Sequence, residues 1–175
     1  MRLDTPPVPS AERVCSDELI NLLKLLQPSI RYRHHEPVFT CEQADRHAAG
    51  LAGVAAKNLL LKERKGQRYF LLCTDPSQRV DLKGLAALLG CSRLSMASAE
   101  ELSLLLGTEA GALSLLSLLN DPGHRVEAIV EASLESVPRI QCHPLSNRCT
   151  MDVDTQVLWQ LLDQRGHIVR WLALP

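Results

Sequence analysis

With 175 residues, 46% of them apolar, the chain is long enough to bury a core of its own. Nineteen Lys and Arg against twenty Asp and Glu leave a net charge of −1, which excludes a protein that coats nucleic acid nonspecifically, because that task needs a broad basic face. Recognition of a single RNA end through a small basic patch stays open, and with only 3% aromatics the interior must be filled by Leu, Val and Ala.

Residues 1–15, with Pro6, Pro7 and Pro9 and no long apolar run, read as a loose leader rather than a signal or anchor, followed by one domain over residues 16–175. Ser16 is placed to cap a helix over Asp17–Leu26, stopped before Pro28, and Ile30–His34 reads as a strand. Thr40 and Gln43 have capping-box spacing and open a helix through Ala49. Leu59–Lys62 and Tyr69–Cys73 read as a strand pair across a turn at Lys65-Gly66. Asp81 then caps a helix that ends at Gly90, and Arg93–Met96 reads as a short strand. Ser98 and Glu101 form a second capping box, with Gly107 as the stop.

The apolar stretch Leu102–Leu119 is long enough to suggest a membrane span. Gly107, Glu109, Gly111 and three serines interrupt it, so a buried helix, a turn and a second buried segment are expected instead. Arg125–Glu131, Arg139–Cys142 and Arg148–Val153 read as strands, Asp154 opens a helix to Gln164 with Gly166 as its stop, and Ile168–Leu172 is a last strand. Helices and strands interleave without strict βαβ repetition. The expected fold class is α/β (α+β), a mixed central sheet surrounded by helices.

Three stretches put polar groups or bare backbone at the end of an apolar element, where a packed scaffold presents chemistry to solvent: Ala56-Lys57-Asn58-Leu59, Gly111-Ala112-Leu113-Ser114 and His143-Pro144-Leu145-Ser146-Asn147. The Lys57 ammonium beside the Asn58 amide, which both donates and accepts, suits a phosphate or an ester carbonyl, although a lysine at a strand start is ordinarily just solvated. A lone histidine is more often structural than catalytic; a neutral His143 imidazole next to Asn147 can hydrogen-bond an amino group or a water, a binding role ahead of a general base. Gly111 allows backbone to approach a ligand closely, and free N–H groups from Gly111 to Ser114 can polarise a carbonyl.

In this order and setting the three stretches resemble the YbaK-like, prolyl-tRNA-synthetase-associated editing domains, trans-acting proteins that hydrolyse the ester of a mischarged tRNA. The resemblance runs from about Glu36 to the C-terminus and includes Val80-Asp81-Leu82-Lys83, the Gly90 stop and Leu119-Asn120-Asp121. It implies a YbaK-like fold, Lys57 and His143 as catalytic residues, and Asn58, Gly111, Ala112, Leu113, Ser114 and Asn147 as substrate-binding residues. It also implies a mischarged tRNA, held by its acceptor end, as partner, prolyl-tRNA synthetase as a further partner, and no cofactor or metal. The favoured substrate is Ala-tRNA(Pro). Cys- or Ser-tRNA and a noncatalytic module that binds tRNA or a synthetase are the alternatives. Leu115 stands where the family carries proline, and Ala56 where it often carries a hydroxyl residue.

Six cysteines, none in a C-x-x-C pair, read as reduced thiols in a cytoplasmic protein. Cys142, His143 and Cys149 fit no common zinc spacing. Adjacent Cys142 and His143 would face opposite sides of a strand, which argues against a thiol nucleophile. Arg31, Arg33, Lys62, Arg64, Lys65 and Arg68 are candidates for a patch that meets the tRNA acceptor end.

Overall fold

The computed structural model describes residues 13–65 and 68–175. The expected leader therefore lies almost wholly outside the described residues, as does Gly66 of the expected turn. The described elements, in chain order, are α1 (Ser16–Leu26), β1 (Tyr32–His34), α2 (Cys41–His47), β2 (Lys57–Glu63), β3 (Tyr69–Thr74), α3 (Leu82–Leu89), β4 (Leu94–Met96), α4 (Ala99–Leu106), a 3-10 helix (Leu115–Asn120), β5 (Val126–Glu131), a short 3-10 turn (Ala132–Leu134), β6 (Arg139–Cys142), β7 (Cys149–Asp154), α5 (Thr155–Gln164) and β8 (Val169–Leu172).

The strands form two sheets. A five-stranded mixed sheet has the order β4-β2-β3-β5-β8, antiparallel through β3 and parallel from β3 to β8. A three-stranded antiparallel sheet has the order β1-β7-β6. The mixed sheet was expected from the sequence. The second sheet was not, because β1 spans three residues, all exposed, and owes its strand conformation to pairing with β7.

Alternation along the central strands separates two cores. Leu60, Leu71 and Ala128 face one side, where α1, α5, the Leu115–Asn120 segment and the inner face of the small sheet (Ile140, Cys142, Met151, Val153) close over them. Leu61, Phe70, Leu72 and Ile129 face the other side and pack against Leu85, Ala86 and Leu89 of α3. With few rings available, both cores are dominated by Leu, joined by Val in the first. Two of the rings, Trp159 and Trp171, meet edge-on at 5.0 Å and tie α5 to β8.

Helix boundaries follow the capping chemistry of the sequence, with two differences. Thr40 accepts from Gln43, Asp81 from Lys83 and Ser98 from Glu101, and Gly90 and Gly107 close α3 and α4 in the left-handed conformation. In α1, however, the cap is Cys15 rather than Ser16, because the Glu18 carboxylate reaches back to the Cys15 N–H at 2.9 Å. In α5, Asp154 does not cap, because its carboxylate is taken by Arg139 at 2.6 Å. Among the described residues, no helix is long and apolar enough to cross a membrane; Leu102–Leu119 resolves into the end of α4, a turn and a fully buried 3-10 helix.

One segment outside the regular elements joins the two sheets. Val54 forms an isolated parallel bridge with Ile140, its N–H donating to Arg139 and its carbonyl accepting from Gln141, both at 2.9 Å. The buried Asp152 carboxylate of β7 accepts the Ala52 N–H at 2.8 Å, and Gln141 donates to the Gly53 carbonyl at 2.8 Å. Residues 52–54 are thus strapped onto β6 and β7 immediately before β2 begins.

Candidate active site

The strap delivers Lys57 and Asn58 to a cleft of about 290 Å³ between the two sheets. Its floor is the start of β2, one wall is the end of β6 with His143, a second is the turn at Gly111 and Leu113, and its rim is Val38 to Asp45 at the start of α2. The cleft opens beside Pro76, just past the carboxyl end of β3, where parallel strands of a sheet leave room for ligands.

Lys57 and Asn58 are part of β2 itself, paired with Thr74 and Cys73, rather than the residues before it. The ladder fixes their backbones and turns their side chains to opposite faces of the strand end. Both are half-buried and border the cleft. Lys57 makes no ion pair among the described residues, in contrast to Lys62, held by Glu101 at 2.9 Å, and Arg68, held by Glu127 at 2.8 Å. Those two members of the expected basic patch are therefore occupied. The Asn58 carbonyl oxygen Oδ1 is buried and has no hydrogen-bond partner among the described residues. A buried acceptor left unpaired costs about 1–3 kcal/mol, and this one belongs to a residue that borders the cleft.

His143 is fixed by its backbone and by its ring. Its carbonyl accepts from the Ser114 hydroxyl at 2.8 Å and from the Leu145 N–H at 2.9 Å. Leu145 closes that turn at φ +61°, a left-handed conformation that costs a branched residue about 1–3 kcal/mol and is typical of functional loops. The ring Nδ1 donates to the Cys149 carbonyl at 2.9 Å, which leaves Nε2 as an acceptor in the neutral form. Burial lowers the His143 pKa from 6.5, opposed by the Cys149 hydrogen bond and aided by nearby His35, so the ring is neutral at pH 7.

The structure brings Lys57, Asn58, Gly111, Leu113 and His143 to one cleft, and it places Ala112, Ser114 and Asn147 behind it. Ala112 is fully buried with its N–H donated to Glu109, so that amide is not free to polarise a carbonyl. Ser114 holds the His143 backbone instead of lining the cleft. Asn147 is buried and its backbone carbonyl accepts the Val38 N–H at 3.0 Å, which anchors the rim segment. The closest approach at Gly111 (φ +85°) is to protein: a Cβ there would collide with the Val38 carbonyl. Leu115 is buried in the core, not in the cleft.

Among the cleft residues that escaped the sequence reading are Phe39, Thr40, Gln141 and Thr150. The Thr150 hydroxyl donates to His35 Nε2 at 2.9 Å, and the His35 ring stacks on His47 at 4.8 Å and meets His143 edge-on at 6.3 Å. Only the Thr40 cap carried a signal in the sequence, and that signal spoke of a helix start. Cys142 borders the cleft, but its buried thiol is pushed up to about 12 by burial and by Asp152, and Cys149 is pushed up to about 11 by burial, so neither is a thiolate near neutrality. Among the described residues, no three His, Cys, Asp or Glu side chains are grouped to hold a metal ion.

Residues 35–161 match the family model described as the aminoacyl-tRNA editing domain. The chain belongs to that family. The prolyl-tRNA editing protein ProX of Acetoanaerobium sticklandii is 29% identical over 155 residues, which is 87% of this chain and 94% of that protein. Prolyl-tRNA synthetase associated domain-containing protein 1 of Danio rerio is 32% identical over 152 residues, 86% of this chain and 82% of that one. A crystal structure described as a candidate trans-editing enzyme for prolyl tRNA synthetase superposes with a TM-score of 0.64 at 19% identity, covering 94% of this chain and all of that one, and so shares the fold. The matched span takes in the whole cleft of this editing domain, from its α2 rim to His143 and Thr150.

Proposed function

We propose that this editing domain hydrolyses the ester of a mischarged aminoacyl-tRNA, with Ala-tRNA(Pro) as its substrate. The observation that carries this reading is a single cleft bordered by Lys57, by Asn58, whose Oδ1 is unpartnered among the described residues, and by His143, whose Nε2 is left as an acceptor. Two acceptors and one ammonium thus belong to residues that border one cleft. An aminoacyl ester offers the complement: an α-ammonium or ribose hydroxyl to donate, and a carbonyl that gains negative charge when attacked. In this reading Asn58 and His143 hold the donors and Lys57 stabilises the developing oxyanion. Water adds to the ester carbonyl, the neighbouring ribose hydroxyl assists the proton transfer, and the ester C–O bond breaks to release free amino acid and uncharged tRNA. Prolyl-tRNA synthetase, whose pocket cannot strongly reject a residue smaller than proline, is the source of the error.

The experiment is deacylation of one tRNA(Pro) carrying alanyl, seryl, cysteinyl or prolyl esters. Hydrolysis of the alanyl ester with the prolyl ester spared is the expected result. Fastest cleavage of the cysteinyl or seryl ester would move the substrate within the class. Retained tRNA binding with no cleavage of any ester would make the domain a binding module and overturn the reading.

A further inference from the structure

We propose that Phe39 is a stacking platform for the terminal adenine of the tRNA, a binding and specificity residue at the mouth of the cleft. This rests on the deacylase reading and extends it from the ester to the nucleoside that carries it. The chain holds only six Phe, Tyr and Trp rings. Five are engaged: Trp159 and Trp171 with one another, Phe70 in the core under Arg68, Tyr69 to Glu101, and Tyr32 beneath the Lys24 ammonium at 4.3 Å. Phe39 is 66% exposed and, among the described residues, has no ring or cation partner.

Its backbone is nevertheless held firmly. The preceding Val38 is buried and donates to Asn147, the Phe39 N–H donates to the Gln43 side chain at 2.8 Å, and Thr40 caps α2 directly after it. Gly111 lets the chain pass close by, since even a Cβ at that position would lie 3.4 Å from the Phe39 Cα. A fixed backbone that presents a bare ring at a cleft mouth is arranged for a planar partner. With the ester at Lys57, Asn58 and His143, the group that emerges at the rim is the terminal ribose and its base. A base–aromatic stack suits the bare face of a phenyl ring, which offers no hydrogen bond.

The test uses two non-hydrolysable ligands, 3′-alanylamido-3′-deoxyadenosine and the same alanylamido sugar without its base. The wild-type protein should bind the adenosine ligand about fivefold to a hundredfold tighter than the baseless one. Phe39→Leu, which keeps an apolar side chain but removes the π face, should bring that ratio close to one, and Phe39→Trp should restore it. A ratio unchanged in Phe39→Leu, equal weakening of both ligands, or no binding of either by the wild type would each overturn the proposal. Deacylation of alanyl-tRNA, followed in parallel, separates the two readings. A ratio that collapses without any hydrolysis leaves the stack standing and removes the deacylase, whereas hydrolysis with an unmoved ratio removes the stack alone.

Discussion

Lys57 is a half-buried cation at a cleft wall with no ion pair among the described residues, and its removal takes out a charge without opening a core cavity. Lys57→Ala is therefore expected to leave thermal stability nearly unchanged and to lower single-turnover deacylation by about 10²–10³, the usual loss for one oxyanion-stabilising donor. Unaltered hydrolysis would remove Lys57 from the chemistry. His143 leads to a pH prediction whose sign is set by its lowered pKa. The acceptor form of the ring is present above its ordinary value of 6.5 and persists somewhat below it, so kcat/KM should stay level from pH 8 to 6.5 and fall only at lower pH. His167 is lowered for the same reason, burial, and both rings enter the folded protein neutral. The stability this represents is complete above pH 6.5 and is lost as pH falls toward the depressed folded values. Denaturation midpoints followed from pH 7.5 to 5 should decline, and His143→Gln should flatten that decline. An acid limb of activity centred above 6.5 would contradict the assignment of His143.

At the scale of elements, the loops that frame the cleft are fixed by contacts of a few atoms, which makes them sensitive to small changes. Gly111→Ala would combine a left-handed backbone, at about 1–2 kcal/mol, with a Cβ driven against the Val38 carbonyl, at about 1–3 kcal/mol. The expected result is a loss of at least about 2 kcal/mol in chemical denaturation, together with weaker substrate binding, because the rim segment is pushed from its place. A variant as stable as the wild type would show that the turn and the rim do not touch in solution. The Ser98–Glu101 capping box is a second such element. Glu101 accepts from the Ser98 N–H, from Lys62 and from Tyr69, which holds its carboxyl down at about 2. Ser98→Ala should cost about 1 kcal/mol and leave deacylation of the folded protein intact, since α4 lies away from the cleft wall. These helix signals were legible in the sequence because a cap is a local event: Thr40, Asp81, Ser98, Gly90 and Gly107 each act within a few residues of themselves. The exceptions at Cys15 and Asp154 were not legible, since Glu18 and Arg139 chose the partners that the short polar residues would otherwise have taken.

For the whole molecule, the cleft exists because the 52–54 strap locks the small sheet to the mixed one. Gly53 is its tightest point: a Cβ there would lie 2.7 Å from Asp152 Oδ1 and 3.1 Å from the backbone of both Ile140 and Gln141. Gly53→Ala must move the strap off β6. A stability loss of about 1–3 kcal/mol is expected, which for a domain of this size lowers Tm by about 2–12 °C. Activity should fall as well, because Lys57 and Asn58 begin the strand that the strap delivers. Full activity at normal Tm would mean that the two sheets are not coupled through this segment.

What the sequence determined by itself was what its local pattern encodes. Periodicity and caps specified the helices, alternation specified the central strands, and a few short motifs pointed to Lys57, Asn58, Gly111 and His143, all of which border one cleft. Long-range hydrogen bonding decided the rest. Ser114 was read as a ligand contact and is a brace for His143 twenty-nine residues away, and Leu115, which follows that stretch, fills the core. The small sheet, the strap and the rim position of Phe39 arise from pairings between segments a hundred residues or more apart, such as Ala52 with Asp152 and Arg33 with Thr150. No single stretch records such a pairing, because a backbone N–H or carbonyl is the same chemical group at every residue and only the fold assigns its partner.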